Sequence, residues 1–184
     1  MRIISGQFKG RRITPPKNLP VRPTTDMAKE ALFNILNNNF YFDEISVLDL
    51  FAGTGSISFE FASRGTAHIT SVDEDFGCVK FINKTAEEFE MDIKTVKSDV
   101  FKFLETTKLQ VNVIFADPPY AFSLEQFTKI PELVFQNNLL EDDGVLIVES
   151  AKQMDLSTLP YFSYSKNYGS SLFSYFERPA LTIG

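Results

Sequence analysis

Short apolar runs alternate with helix-patterned segments between residues 45 and 150, and no other feature of the sequence constrains the fold as much. Five runs have the length and composition of buried strands: 45–50, 68–73, 93–99, 111–117 and 144–150. The segments between them place their apolar residues on one stripe, as helices do: 57–63, 75–90, 100–107 and 124–138. Strands that alternate with helices at this spacing form a parallel sheet with helices on both faces. The sequence therefore predicts a single α/β domain.

The segment before this alternation predicts three smaller elements. Residues 2–14 alternate loosely around two glycines and indicate a short hairpin, and residues 15–25, with four prolines, indicate an extended loop. Thr24, Thr25 or Asp26 is expected to cap the helix that follows.

The C-terminal part of the sequence predicts two further strands, around residues 161–165 and 172–177. Pro131 lies inside the helical segment 124–138 and is expected to kink or break that helix. The last residues, 179–184, carry no recognisable signal.

Composition excludes several classes of protein. The single cysteine, Cys78, cannot form an intrachain disulfide, and with a single histidine, His68, a Cys/His zinc site is not expected. No apolar stretch approaches the roughly 20 residues of a membrane helix, and the N-terminus lacks the apolar core of a secretory signal. We therefore expect a cytoplasmic protein without a metal.

The net charge of −6 hides an asymmetry. Residues 1–30 hold seven basic and two acidic residues, a net charge of +5, which leaves −11 for the rest of the chain. A basic segment on an acidic body fits an anionic partner held at one end. A solvated surface that happens to be rich in lysine and arginine explains the charge equally well.

The turn after the first strand has the sequence Asp-Leu-Phe-Ala-Gly-Thr-Gly-Ser, residues 49–56. Gly53 and Gly55 allow the backbone to approach a ligand closely, although a tight turn without a ligand would need glycine as well. Ser58 stands where a dinucleotide-binding motif has its third glycine. Asp49 would repel a phosphate and attract an ammonium group. The turn therefore favours a ligand with an amino-acid part over a dinucleotide.

Two acids at the ends of the next strands extend this interpretation. Asp73 lies 20 residues after Gly53, where a carboxylate holds a ribose diol in nucleotide-binding sheets. Asp99 ends the third strand and could accept a hydrogen bond from the amine of adenine. Each acid could also be a helix cap. Together they describe a nucleoside with an amino-acid part and no phosphate, which is S-adenosylmethionine.

Asp117-Pro-Pro-Tyr120 follows the fourth strand and suits methyl transfer to an exocyclic amine. Asp117 can accept one N–H of the amine and the Pro118 carbonyl the other, which directs the nitrogen lone pair toward the methyl group. Tyr120 offers a flat face on which a base can stack. A carboxylate suits the two adjacent donors of guanine better than the donor and acceptor of adenine. The alternative is a proline-rich strand exit with no chemical role.

The order of these motifs resembles that of the class I methyltransferases. In addition, MRIISGQFKGRRI, VRPTTDMAKEALFNIL and VLDLFAGTGS resemble the RsmD-type family, which methylates N2 of a guanine in small-subunit ribosomal RNA. The resemblance extends from Met1 to about Glu177. Met27 and Lys29 stand where the family usually has arginine.

This resemblance implies a Rossmann-like class I methyltransferase fold: a seven-stranded, mostly parallel sheet with the last strand antiparallel, plus an N-terminal β-hairpin and helix. We assign residues 1–40 to an RNA-binding extension, 41–178 to the methyltransferase domain and 179–184 to a tail. The expected catalytic residues are Asp117, Pro118, Pro119 and Tyr120. The residues expected to bind S-adenosylmethionine are Asp49, Phe51, Ala52, Gly53, Gly55, Asp73, Glu74, Asp99 and Val100. The residues expected to contact RNA are Arg2, Lys9, Arg11, Arg12, Arg22, Pro23, Thr24, Thr25 and Lys29.

The expected substrate is a guanine of the 966 type in 16S ribosomal RNA. Because the chain is acidic overall, we expect a partly assembled small subunit rather than naked RNA, with the enzyme as a monomer. Three alternatives stay open: an adenine amino-methyltransferase acting on DNA or RNA, a non-catalytic RNA-binding assembly factor, and a nucleotide-dependent dehydrogenase. The first usually needs a separate target-recognition region, for which 184 residues leave little room. The predicted cofactor acids argue against the second, and the missing third glycine and the Pro-Pro turn against the third.

Overall fold

The computed structural model describes residues 1–21 and 24–180, and the strands in these ranges form one seven-stranded sheet. The strands are β1 Ser46–Leu50, β2 His68–Asp73, β3 Ile93–Lys97, β4 Val111–Ala116, β5 Leu140–Ala151, β6 Phe162–Tyr168 and β7 Ser171–Phe176. Their order is β3-β2-β1-β4-β5-β7-β6. Strands β1 to β5 are parallel, whereas β7 is antiparallel to both of its neighbours. The predicted sheet, with its last strand antiparallel, is confirmed.

Helices cover both faces of the sheet. They are α1 Asp26–Asn39, α2 Ser56–Ser63, α3 Phe76–Glu88, α4 Val100–Thr106 and α5 Leu124–Gln136, with a short 3₁₀ turn at Phe42–Glu44. Apolar residues of α1, α2 and α3 share one hydrophobic cluster, and those of α4 and α5 share the cluster on the opposite face. The sequence analysis did not predict the 3₁₀ turn. None of the helices in the described ranges is long and apolar enough to cross a membrane.

Two expectations about the elements need correction. Helix α5 continues through Pro131, so the expected break does not occur: Pro131 is buried with the apolar face of the helix, and this packing offsets the lost hydrogen bond. The alternative of a kink at Pro131 stays a prediction. Strand β5 begins at Leu140, four residues before the predicted run, because Leu140 is buried and pairs with Val111 ahead of an irregularity in the register.

The N-terminal arm, residues 1–14, returns on itself as predicted, but Arg2 and Arg12 form its only isolated β-bridge and turns occupy its middle. Glu60 of α2 accepts hydrogen bonds from the backbone N–H groups of Ile4 (2.9 Å) and Ser5 (3.0 Å). A side chain on Gly6 would come within 1.9 Å of a backbone oxygen of α2. The arm is therefore held against α2 rather than projecting into solvent. Its proposed division from the rest of the chain at residue 40 stays a prediction.

Candidate active site

The glycine turn after β1, residues 51–55, has its conformation set by backbone hydrogen bonds. The Gly53 N–H donates to Asp73 Oδ2 (2.8 Å), and the Gly55 N–H donates to the Ala52 carbonyl (2.8 Å). Phe51, Gly53 and Gly55 all have positive φ angles. A side chain on Gly55 would lie 2.8 Å from Ile82 of α3, so this position also needs glycine because α3 packs so closely.

Asp73 uses both carboxylate oxygens on backbone groups around this turn. Oδ2 accepts from Gly53, and Oδ1 accepts from the Asp75 N–H (2.9 Å). Asp75, rather than Asp73 or the exposed Glu74, caps α3 by accepting from the Cys78 N–H (2.8 Å). Since a carboxylate oxygen can accept more than one hydrogen bond, half-buried Asp73 keeps capacity for a ligand hydroxyl. The predicted ribose contact stays a prediction.

Asp49 lies at the second-last position of β1 and is only 2% exposed. Its Oδ2 accepts a hydrogen bond from the Ser58 hydroxyl at 2.6 Å, and Ser58 in turn shares a hydrogen bond with Ser71. Burial raises the pKa of Asp49 to about 7, and the neighbouring Asp73 adds to the shift. The sequence analysis treated Ser58 only as a missing glycine, whereas it is the hydrogen-bond partner of the buried acid.

Asp99 caps α4, as one of its two interpretations predicted. Its carboxylate accepts from the Lys102 N–H at 3.0 Å. Asp99 is half-buried at the end of β3, and the adjacent Val100 is buried. The contact with adenine stays a prediction.

The proline-rich loop before α1 lies against the glycine turn, which the sequence did not predict. Val21 is 3.3 Å from the position that a side chain on Gly53 would occupy. Leu19 is 3.0 Å from the corresponding position at Gly77, in the first turn of α3. The loop and the candidate cofactor site are therefore parts of one surface.

The Asp117–Tyr120 turn lies beside the glycine turn, because β4 and β1 are neighbouring parallel strands. The Asp117 N–H donates to the Leu50 carbonyl (3.4 Å), and the Pro119 carbonyl accepts from Phe122 (3.0 Å). Pro118 is buried, Pro119 is exposed and Tyr120 is 61% exposed.

Glu149 of β5 is a candidate functional residue that the sequence analysis missed. The register pairs Ala116 with Val148, so Asp117 and Glu149 follow side by side on neighbouring strands. Both acids line a recess with Pro118, Tyr120, Phe127, Ser150, Ala151 and Met154. Burial and the charge of Glu149 raise the pKa of Asp117 well above its ordinary value, with a further contribution from Asp49. The available signal was an acid at the carboxyl end of a buried strand, the same signal that identified Asp49.

The residues expected to contact RNA fall into separate groups. Arg2, Lys9, Arg11 and Arg12 are exposed on the N-terminal arm. Arg2 pairs with Asp26 (3.3 Å), and the Arg11 guanidinium lies 5.2 Å from the centre of the Phe89 ring. Thr24 is half-buried, and the Thr25 hydroxyl caps α1 by accepting from the Ala28 N–H (3.2 Å). Arg22 and Pro23 lie outside the described residues, as does most of the predicted tail.

Lys29, unlike the exposed basic residues of the arm, is buried, so its predicted contact with RNA is wrong. Lys29 is 1% exposed, and its ammonium group donates to the Arg2 carbonyl (2.6 Å) and to the Ser56 hydroxyl (3.2 Å). The same ammonium lies 3.6 Å from Glu60. Burial lowers the pKa of Lys29, and the charge of Glu60 opposes that shift. Its ammonium group therefore joins α1, α2 and the N-terminal arm, and is not available to RNA.

Comparisons with known proteins identify the family and the fold of this chain. The family model described as "Conserved hypothetical protein 95" matches residues 1–177. The chain is 32% identical over 161 residues to a putative rRNA methyltransferase, YlbH, of Bacillus subtilis, with 85% of each chain covered. It is also 32% identical over 161 residues to ribosomal RNA small subunit methyltransferase D of Escherichia coli, covering 87% of this chain and 79% of that protein. A solved putative methyltransferase, yhhF of Escherichia coli, superimposes with a TM-score of 0.85 at 28% identity, covering 98% and 99% of the two chains.

Proposed function

This chain belongs to the Conserved hypothetical protein 95 family, the RsmD-type family, and we propose that it methylates N2 of a guanine in 16S ribosomal RNA, with S-adenosylmethionine as the methyl donor. One observation carries the proposal: the turn suited to the donor and the turn suited to the amine lie next to each other, after the paired ends of β1 and β4. Leu50 pairs with Ala116, and the Asp117 N–H donates to the Leu50 carbonyl. Donor and acceptor would therefore meet at this edge of the sheet.

The strand order supports the assignment of the cofactor. From β3 through β2 to β1, Asp99, Asp73 and Asp49 follow one another along the sheet edge, in the order adenine, ribose and methionine. The buried Asp49, with its raised pKa, fits an ammonium group, since a positive charge beside it offsets the cost of burying the carboxylate. Gly53 and Gly55 keep side chains out of the turn. Phe51, Ala52, Glu74 and Val100 flank these contacts. When bound, S-adenosylmethionine would supply a methyl group already activated by its sulfonium, with S-adenosylhomocysteine as the product.

Asp117 and Pro118 would orient the target amine. The Asp117 carboxylate accepts one N2–H and the Pro118 carbonyl accepts the other, so both hydrogen bonds increase the electron density on nitrogen. Pro119 restricts the turn, and Tyr120 presents its exposed ring to the base. In its ionised form Asp117 would also accept the proton that nitrogen loses after transfer. A lysine or histidine base is therefore not needed for this reaction.

The N-terminal arm supports RNA as the substrate. Arg2, Lys9, Arg11 and Arg12 carry four exposed positive charges on an otherwise acidic chain. The arm adjoins the candidate active site, since the Thr54 hydroxyl lies 3.4 Å from the Met1 sulfur. Contacts of these side chains with phosphates would hold the RNA at this edge. A guanine of the 966 type, a partly assembled small subunit and a monomeric enzyme remain parts of the proposal.

The test is transfer of labelled methyl groups from S-adenosylmethionine to small-subunit particles and to 16S ribosomal RNA, both from cells lacking this protein. Nucleoside analysis and mapping of the label follow. We expect labelled N2-methylguanosine, with more label on particles than on free RNA. Labelled N6-methyladenosine would overturn the choice of base, and absence of label despite cofactor binding would favour the non-catalytic RNA-binding alternative.

A further inference from the structure

We propose that Glu149 is a specificity-determining residue that recognises the target guanine by accepting a hydrogen bond from its N1–H. This inference rests on the proposed function and adds a second base-contacting carboxylate to it. The proposed function requires only that Asp117 and Pro118 bind the N2 amine. It does not explain how the enzyme would select the rest of the base.

One of the two carboxylate oxygens of Glu149 has no hydrogen-bond donor among the described residues. Oε1 accepts from the Ser171 hydroxyl at 2.9 Å, which fixes the orientation of the carboxylate. Oε2 is buried, and no group in the described ranges donates to it. Glu149 as a whole is only 9% exposed. Because a buried acceptor without a donor destabilises a fold, an oxygen of this kind in a recess is available to a donor on a ligand.

The position of Glu149 matches the position of the proposed amine contact. Asp117 and Glu149 are neighbours on adjacent strands, and both line the same recess. Adjacent strands are about 4.8 Å apart, so the two carboxylates can reach two neighbouring atoms of one base. Tyr120 lines the recess as well and offers a ring to stack on that base.

The chemistry of guanine fits a pair of acceptors. Its Watson–Crick edge presents N1–H and N2–H₂ side by side, so Asp117 would take an N2 hydrogen while Glu149 takes the N1 hydrogen. Adenine has a lone pair at N1, which would face the lone pairs of Glu149. A buried carboxylate thus favours guanine through a hydrogen bond to a charged group and disfavours adenine through repulsion.

The test compares guanine with 2-aminopurine, which keeps the 2-amine but has an acceptor at N1. The substrate is 16S ribosomal RNA, assembled into particles, that carries either base at the position where mapping finds the methyl group. Wild-type protein is compared with Glu149→Gln. In this variant Ser171 can still donate to the amide oxygen, which turns the amide NH₂ toward the base in place of Oε2. Glu141→Gln, at an exposed site on the same strand, is the control for loss of one charge.

We expect wild-type protein to methylate the guanine substrate about ten- to a hundredfold faster than the 2-aminopurine substrate, as the loss of one hydrogen bond to a charged group predicts. In Glu149→Gln this ratio should fall at least about tenfold, because the amide can donate to N1 of 2-aminopurine. Glu141→Gln should keep the wild-type ratio, and cofactor affinity should be the same in all three proteins.

Equal wild-type rates on the two bases would overturn the inference, even if the variant did not fold. A Glu149→Gln protein that methylates the guanine and the 2-aminopurine substrates more slowly by the same factor would also overturn it, since loss of a purely structural role slows both reactions equally. Failure of wild-type protein to methylate guanine at all would instead overturn the proposed function.

Discussion

Two buried glutamates in this molecule have opposite surroundings. Glu60 of α2 is fully buried and accepts from Ile4 N–H, Ser5 N–H and Arg64, with Lys29 at 3.6 Å. Glu149 of β5 is almost as buried, yet only Ser171 among the described residues donates to its carboxylate. Burial of an acid therefore does not by itself assign a role, and the unpartnered oxygen of Glu149 is the observation behind its proposed contact with a base.

The two environments serve different purposes. Around Glu60, the paired charges and backbone groups hold the N-terminal arm against α1 and α2. Around Glu149, burial raises the pKa of both Asp117 and Glu149, and the charges of Glu149 and Asp49 add to the shift of Asp117. The first environment stabilises the free protein, and the second leaves a carboxylate oxygen of Glu149 without a donor.

The largest expected effect is on stability, from Glu60→Gln. The amide nitrogen cannot accept from the backbone of the arm, and Lys29 is left as a buried charge without a counter-ion. We expect a loss of about 3–5 kcal/mol in the free energy of unfolding, measured with urea at pH 7. The matched change Glu149→Gln should leave stability unchanged or raise it. Equal losses of unfolding free energy in the two variants would show that the two glutamates contribute equally to stability.

A large effect on catalysis is expected from Asp117→Ala. Without this carboxylate the amine loses an oriented acceptor, so methyl transfer should fall by about a hundred- to a thousandfold. Cofactor affinity, measured by calorimetry, should not change. Asp142→Ala, which removes an exposed acid from β5, is the control. Activity near that of the wild-type protein would contradict the proposed role of Asp117.

Asp49→Asn should have a smaller effect. It should raise the free energy of unfolding and weaken the binding of S-adenosylmethionine. The pKa of Asp49 is about 7 in the folded protein, above that of an unfolded chain, so the folded state binds more protons. The free energy of unfolding should therefore fall as the pH rises from about 4 to 7, and the loss of stability that Asp49 causes is complete above pH 7. At pH 8 the asparagine variant should be more stable than wild-type protein by an amount on the order of 1–4 kcal/mol.

This stability gain should shrink toward pH 5, as denaturant unfolding at the two values would show. The same variant should bind S-adenosylmethionine more weakly, because it lacks the carboxylate for the ammonium group. A variant that is destabilised at pH 8 would contradict the effect of burial on Asp49. One that binds the cofactor unchanged would contradict its proposed contact.

The smallest expected effect concerns the surface of the arm. Lys9→Gln or Arg12→Gln should reduce the slope of log affinity for 16S ribosomal RNA against log salt concentration by about one each. The control is Lys108→Gln, an exposed lysine just before β4, at the end of that strand away from the Asp117–Tyr120 turn. Filter binding over a range of salt concentrations gives the slopes. Equal slopes for all variants would exclude the arm from RNA binding.

Local sequence patterns predicted most of the fold. Helix α1 follows a threonine cap, as expected, and β2 spans the residues that its apolar run indicated. These features depend on consecutive residues, since side-chain period and cap chemistry are local properties. The same patterns located the glycine turn and the Asp117–Tyr120 turn at one edge of the sheet. They could not decide whether α5 breaks at Pro131, because the packing around Pro131 is not local.

The sequence by itself determined the order of strands and helices along the chain. It also identified the acids at the strand ends. Only the tertiary structure decided which charges are buried and which are paired. Lys29 is basic like the exposed residues of the arm, and Glu149 resembles any acid at the end of a strand. Their environments depend on groups far away in the chain, since Ile4 and Glu60 are 56 residues apart and Glu149 and Ser171 are 22 apart. Burial and pairing arise from such long-range contacts, which no local pattern encodes.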